Sequence, residues 1–160
     1  MSTKQIDTMV KEWDTQQWKG CINDKKTLHI YKNNKTNIKE ETMLYDNTQG
    51  ATLLFKGRTN TLPLEWRNRF TNKDTTCQLC KKYEETMEHF ILECETLEQT
   101  RTQTKTYKEL TQDNNFTLDN ILFPKDNIQK NIEDTKTLLT KLWNKRKNIL
   151  KQNDNGVNNT

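Results

Sequence analysis

Four residues of this chain combine soft-ligand chemistry with short spacing: Cys77, Cys80, His89 and Cys94 lie in "TCQLCKKYEETMEHFILEC" as C-x2-C-x8-H-x4-C. A Cys-x-x-Cys turn points two sulfurs at one position. A following helix returns a histidine and a third cysteine about one turn apart, and the set suits a tetrahedral zinc ion. All four coordination positions are filled by protein, so no open position remains at which water is activated or a substrate polarised. The pattern therefore predicts one structural zinc ion per chain, no catalytic residues, no small-molecule substrate and no enzymatic activity. Three thiolates, a neutral imidazole and a divalent cation sum to one negative charge, which Lys81 and Lys82 beside the second cysteine are placed to offset. The same residues leave one other chemistry open, a Cys77/Cys80 redox pair.

The elements that position this set are read from the flanking pattern. Thr86 is suited to cap a helix on which Met87, Phe90 and Ile91 turn inward while Glu88 and Glu93 stay in water. Upstream, Ile6, Met9, Val10 and Trp13 recur at i, i+3, i+4 and i+7 after Ser2 or Thr3 as N-cap, an amphipathic helix whose stripe needs a partner. Turn chemistry at residues 47–50 precedes "ATLLFKGRTNTLPLEWRNRF", where Leu53, Leu54 and Phe55 are expected in the core. In the same segment a break falls near Gly57 to Asn60, Pro63 fits a helical first turn, and Leu62, Trp66 and Phe70 recur four apart. Pro124 interrupts the chain before a long helical period running from Ile128 to Leu150. No repeat and no strict alternation is visible, so the fold is expected to be mostly α, a small helical domain with a short embedded CCHC zinc site. One domain is expected over residues 1–151, followed by a disordered tail over 152–160.

Composition limits what else the chain can be. Only 31% of the 160 residues are apolar, and the mean hydropathy is -1.11. The core is therefore lean, and a structural metal, which contributes on the order of 10 kcal/mol in small domains, would rival the stability of the whole fold. The N-terminal residues carry no apolar signal run, and "ATLLF" and "HFIL" fall far short of a membrane span. An intracellular location, cytoplasm or nucleus, with no membrane partner is the expectation. In that reducing setting the cysteines are read as thiols rather than disulfides. Cys21 is expected to be a small, at least half-buried apolar residue, and His29, with no ligand partner at metal spacing, a hydrogen-bonded structural histidine.

Several marks recur together over roughly residues 10 to 105: "KKTLHIYK", the "YDNTQG" turn, "LLFKGRTNTLPLEWRNRF", the four ligands with "ETMEHFILEC", and Arg101 shortly after the last of them. The segment resembles the reverse-transcriptase zinc-binding region that follows the polymerase in non-LTR (LINE-type) retrotransposon reading frames. The polymerase box of such elements, an aromatic residue followed closely by paired aspartates, is missing, because no Asp-Asp pair occurs here. The resemblance thus implies an accessory piece of such a polyprotein, without polymerase activity, that helps hold RNA or DNA and has a reverse-transcriptase polypeptide as a possible partner.

Charge fits that role mildly: the net charge is +4 and the pI about 8.8, below the balance of a dedicated nucleic-acid binder. Distribution is more informative. Lys56, Arg58, Arg67, Arg69, Lys73, Lys81, Lys82 and Arg101 surround the ligands, with Trp66, Phe70 and Tyr83 interleaved, and are the candidate phosphate and stacking residues. Lys141, Lys145, Arg146 and Lys147 form a second basic block. The competing expectation is a structural or protein-interaction module, or a non-functional remnant, whose apolar helix faces once met missing domains.

Overall fold

The computed structural model describes residues 2–38, 41, 44, 46–105, 107–108, 116–125 and 128–157. Among them the regular structure is helical, with no strand and one isolated antiparallel bridge between Thr76 and Glu84. The mostly-α expectation therefore holds.

Helix α1 spans Thr3–Asn23 and opens with a capping box: the Ser2 hydroxyl accepts the Gln5 N–H at 3.4 Å, and the Gln5 side chain accepts the Ser2 N–H at 2.8 Å. Only its C-terminal end is anchored, through buried Ile22 and through Trp18, whose ring meets Tyr31 edge-on at 6.3 Å. The predicted stripe is present but faces water, from 47% exposure at Ile6 to 61% at Trp13. A 3-10 turn over Lys26–Leu28 leads into α2, His29–Asn34.

Helix α3, Gln49–Arg58, is capped by Thr48, whose hydroxyl accepts the Ala51 N–H at 3.1 Å. Leu53 and Leu54 are buried, whereas Phe55 is 49% exposed, a correction to the expectation for that triplet. Three consecutive helical positions spread over about 200°, more than one core-facing stripe can take. The break falls as expected, at Arg58 and at Asn60, whose φ is 53°. Residues Glu65–Thr71 then form 3-10 turns rather than an α-helix, and Pro63 stands before them instead of inside the first turn. In a three-residue turn positions four apart do not share a face. Trp66 is accordingly buried while Phe70, four positions on, is 68% exposed; Leu62, ahead of the turns, is buried as well.

Beyond the ligand segment come α4, Glu98–Thr102, and α5, Leu118–Leu122, which ends before Pro124. Helix α6, Ile128–Val157, is about 45 Å long at 1.5 Å per residue, and lies against α3, α4 and α5 through Ile132, Leu138, Leu139 and Leu142. It runs through residue 151 to Val157, into the stretch expected as a disordered tail. Extending a nucleated helix requires fixing one residue per hydrogen bond, so it needs no apolar period; residues 158–160 lie outside the described set. Helices α3 and α6 approach closely at Gly50, where a Cβ would stand 2.7 Å from that of Lys136. One apolar cluster joins α2, α3, the ligand segment, α5 and α6.

Candidate metal centre

The ligand segment is a folded-back loop followed by a single wide helical turn. The Cys77 N–H donates to the Tyr83 carbonyl at 2.7 Å, the Glu85 N–H to the Thr75 carbonyl at 2.9 Å, and the Lys81 N–H back to the Cys77 carbonyl at 2.9 Å. Lys81 closes the loop with a φ of 58°, the left-handed region that a side chain enters only where neighbours impose it. The Thr86 hydroxyl then accepts the His89 N–H at 3.0 Å, the cap expected from the sequence, and Met87, Phe90 and Ile91 are buried while Glu88 and Glu93 are exposed.

His89–Glu93 is a π turn, closed by the Cys94 N–H donating to the His89 carbonyl at 2.7 Å. On an α-helix, positions five apart would point about 140° away from each other. The wider π turn reduces that offset and brings the imidazole and the third sulfur toward one side. The ligand atoms of Cys77, Cys80, His89 and Cys94 consequently lie within 4.8 Å of one another, a group that could hold a metal ion. The Cys77 and Cys94 sulfurs are 3.9 Å apart, and the Cys80 sulfur is 3.4 Å from His89 Nε2. The hydrogen bond to Cys94, with burial, pushes the Cys77 thiol up, and the same hydrogen bond pulls the Cys94 thiol down against its own burial. His89 Nδ1 is buried without a hydrogen-bond partner; Glu93 Oε2 stands 3.7 Å away, beyond bonding distance.

Glu85, which sequence reasoning misses, is fully buried beside this group. Its carboxylate accepts Arg146 Nε at 2.8 Å and Arg146 Nη2 at 2.7 Å, takes the Glu65 N–H at 2.9 Å, and lies 3.9 Å from the Cys77 sulfur. A forked guanidinium–carboxylate pair therefore ties the ligand loop to α6. In the sequence nothing separates Glu85 from its exposed neighbours; only its place between ligands hints at it.

The predicted phosphate-contact residues divide into two groups. Arg58 and Arg101 are buried, 4% and 2% exposed, and point inward. Arg58 pairs with Glu41, donates to the Leu122 carbonyl at 2.7 Å and lies 4.4 Å from the centre of the Phe123 ring. Arg101 donates to the Cys94 carbonyl at 2.7 Å, while its Nε and Nη1 have no partner. Neither presents its charge at the surface as expected, since a backbone carbonyl or an internal partner claims it. Lys56 is half-buried, and Arg67, Arg69, Lys73, Lys81 and Lys82 are exposed, with Phe70 and Tyr83 exposed among them. Two of these cations are partly occupied, Arg69 by Glu84 at 2.6 Å and Lys82 by Glu95 at 2.7 Å. In the second basic block Arg146 is the internal partner of Glu85, and Lys141, Lys145 and Lys147 are exposed. Cys21 is exposed rather than half-buried, and His29 is exposed as well.

Fold and centre together define a helical domain with a Cys3His group able to take a metal ion. Its particular kinship is not given by comparison, because no family model, curated protein or solved structure matches the chain. Among the described residues no helix is long and apolar enough to cross a membrane.

Proposed function

We propose that this chain is a zinc-stabilised accessory module of reverse-transcriptase origin that holds single-stranded or duplex nucleic acid without sequence specificity and without catalysis of its own. The observation that carries the zinc reading is the ligand geometry. A tetrahedron built on Zn–S bonds of ~2.3 Å and a Zn–N bond of ~2.0 Å has S···S edges of ~3.8 Å and an S···N edge of ~3.5 Å. The separations of 3.9 Å between Cys77 and Cys94 and 3.4 Å between Cys80 and His89 match both, and all four ligand atoms lie within 4.8 Å of one another, about 1 Å wider than those edges. Cys77, Cys80, Cys94 and His89 Nε2 would hold the ion, and a closed set of this kind supplies cross-linking rather than an activated water. Arg101, buried beside the Cys94 carbonyl, supplies positive charge that such a centre needs, while the charge of Arg146 is taken up by Glu85.

The nucleic-acid reading is supported by the exposed cations Arg67, Lys73 and Lys81 and the exposed rings of Phe70 and Tyr83 around one loop. Native mass spectrometry of protein purified without added metal tests the first half: one zinc per chain, with helix content falling on chelation, is the expected result. Fluorescence anisotropy across a salt series tests the second. Micromolar affinity that falls steeply with salt is expected, and the combined change Arg67→Ala, Lys73→Ala, Lys81→Ala should flatten the log–log slope by roughly 2 to 3.

One feature favours a second reading, a protein-interaction module: Ile6, Met9, Val10 and Trp13 form an uncovered apolar stripe on α1. That reading requires the stripe to mediate contact, so Met9→Ser with Trp13→Ser would abolish concentration-dependent association in sedimentation while leaving oligonucleotide binding intact.

A further inference from the structure

The three sulfur-bearing residues of the metal centre are not equally sheltered. Cys77 and Cys94 are 1% and 0% exposed, whereas Cys80 is only half-buried and is followed by exposed Lys81 and Lys82. Reagents in solution therefore meet Cys80 first. A sulfur that ligates a metal is a thiolate, the form that attacks electrophiles, so this position combines nucleophilic character with access. Cys21 is exposed too, but no second cysteine stands at turn spacing from it.

A second sulfur is at hand for Cys80, because the ligand atoms of the group all lie within 4.8 Å of one another. Cys77 shares one tight turn with it, closed by the Lys81 N–H donating to the Cys77 carbonyl at 2.9 Å. Cys94 reaches the group from the far end of the π turn, where its N–H donates to the His89 carbonyl at 2.7 Å and its own carbonyl accepts Arg101 Nη2 at 2.7 Å. We infer that Cys80 is a site of oxidation by hydroperoxides, and that Cys77 resolves it as a disulfide that empties the metal centre. In the first step the Cys80 thiolate attacks one peroxide oxygen, the O–O bond breaks, and a sulfenic acid forms as alkoxide or hydroxide departs. In the second the Cys77 thiolate attacks the Cys80 sulfur, an S–S bond forms and hydroxide leaves. The two bases released take protons from the buffer. Each sulfur gives up one electron and the peroxide gains two. His89 and Cys94 remain, two ligands where a closed site has four. The inference rests on the zinc reading above and deepens it: the centre is a clasp that peroxide opens and a thiol reductant closes.

The test uses the full zinc-loaded chain and hydrogen peroxide. Peptide mapping after brief exposure should find a Cys77–Cys80 bridge, with one zinc released for each bridge formed. A cyclic diketone that traps sulfenic acids should label Cys80 and neither Cys77 nor Cys94. Dithiothreitol with added zinc should then restore both the free thiols and the bound metal. Cys21, exposed on α1, is the internal standard for an accessible thiol, and Cys21→Ser removes it where disulfides between chains interfere. Zinc retained at a peroxide dose that oxidises Cys21 in full, a bridge from Cys77 to Cys94 that leaves Cys80 free, or a sulfenic acid trapped on a buried sulfur overturns the inference. Each of these leaves the zinc reading standing. A chain that takes up no zinc before peroxide is added defeats that reading, and the inference falls with it.

Discussion

At the scale of single residues, Glu85 is a fully buried carboxylate that stands beside Cys77 and is neutralised by Arg146 of α6. Removing only the cation, Arg146→Met, strands the carboxylate and should lower stability by about 3–5 kcal/mol. Changing both partners, Glu85→Gln with Arg146→Met, should recover most of it, and urea titrations of the two variants decide the matter. Asp46 gives a pH prediction. Its carboxylate accepts Lys136 Nζ at 2.6 Å and the Thr48 N–H and hydroxyl, and these bonds hold it down from 3.8 to about 2. A carboxylate depressed in the folded state stabilises the fold above its unfolded value and loses that effect as pH falls through its folded one. The difference in thermal midpoint between the native chain and Asp46→Asn should accordingly be constant above about pH 4 and shrink toward pH 2. Residue types foretold that Cys77, Cys80, His89 and Cys94 come together, since metal spacing is a local property that needs no knowledge of the fold. They told the arginines poorly. Arg58, Arg101 and Arg146 read as surface charge, yet each is buried against a group that the sequence cannot place beside it: Glu41, the Cys94 carbonyl and Glu85.

At the scale of elements, the α3–α6 crossing is set by Gly50. Gly50→Ala would put a methyl group 2.7 Å from Lys136 Cβ and 3.1 Å from its carbonyl oxygen, and backbone does not yield as a flexible side chain does. A loss of about 1–3 kcal/mol, read from the thermal midpoint, is expected even though alanine is the better helix former. Amphipathic period alone makes the central part of α1 and most of α6 legible in the sequence. It fails where the chain leaves the α geometry: the 3-10 turns at 65–71 turn Phe70 out, and the π turn at 89–93 aligns His89 with Cys94. Both departures come from closures that no period of 3.6 can encode, one tightened after Pro63 and one widened between ligands. The end of α6 is hidden for a related reason, since helix propagation past Leu150 leaves no apolar trace.

At the scale of the whole molecule, a lean core and the Cys3His group belong to one cooperative unit, because Cys77 and Cys94 sit inside the same apolar cluster as Leu54, Leu122 and Leu139. Stripping an ion held by this group should therefore do more than loosen a loop. Chelation is expected to lower the thermal midpoint and the far-ultraviolet helix signal together, and a chelated chain that keeps its full helix content would show that the core stands without the ion. The arrangement of rings turns this into an optical measurement. Trp143 meets Phe90, the neighbour of His89, edge-on at 5.9 Å and carries Arg146 at 5.2 Å from its ring centre. Its indole is thus wired to both the ligand turn and the ion pair, whereas Trp13 is exposed and Trp18 only half-buried. With those two replaced by phenylalanine, emission from the remaining indoles becomes a dye-free gauge of the ion's arrival and departure in real time.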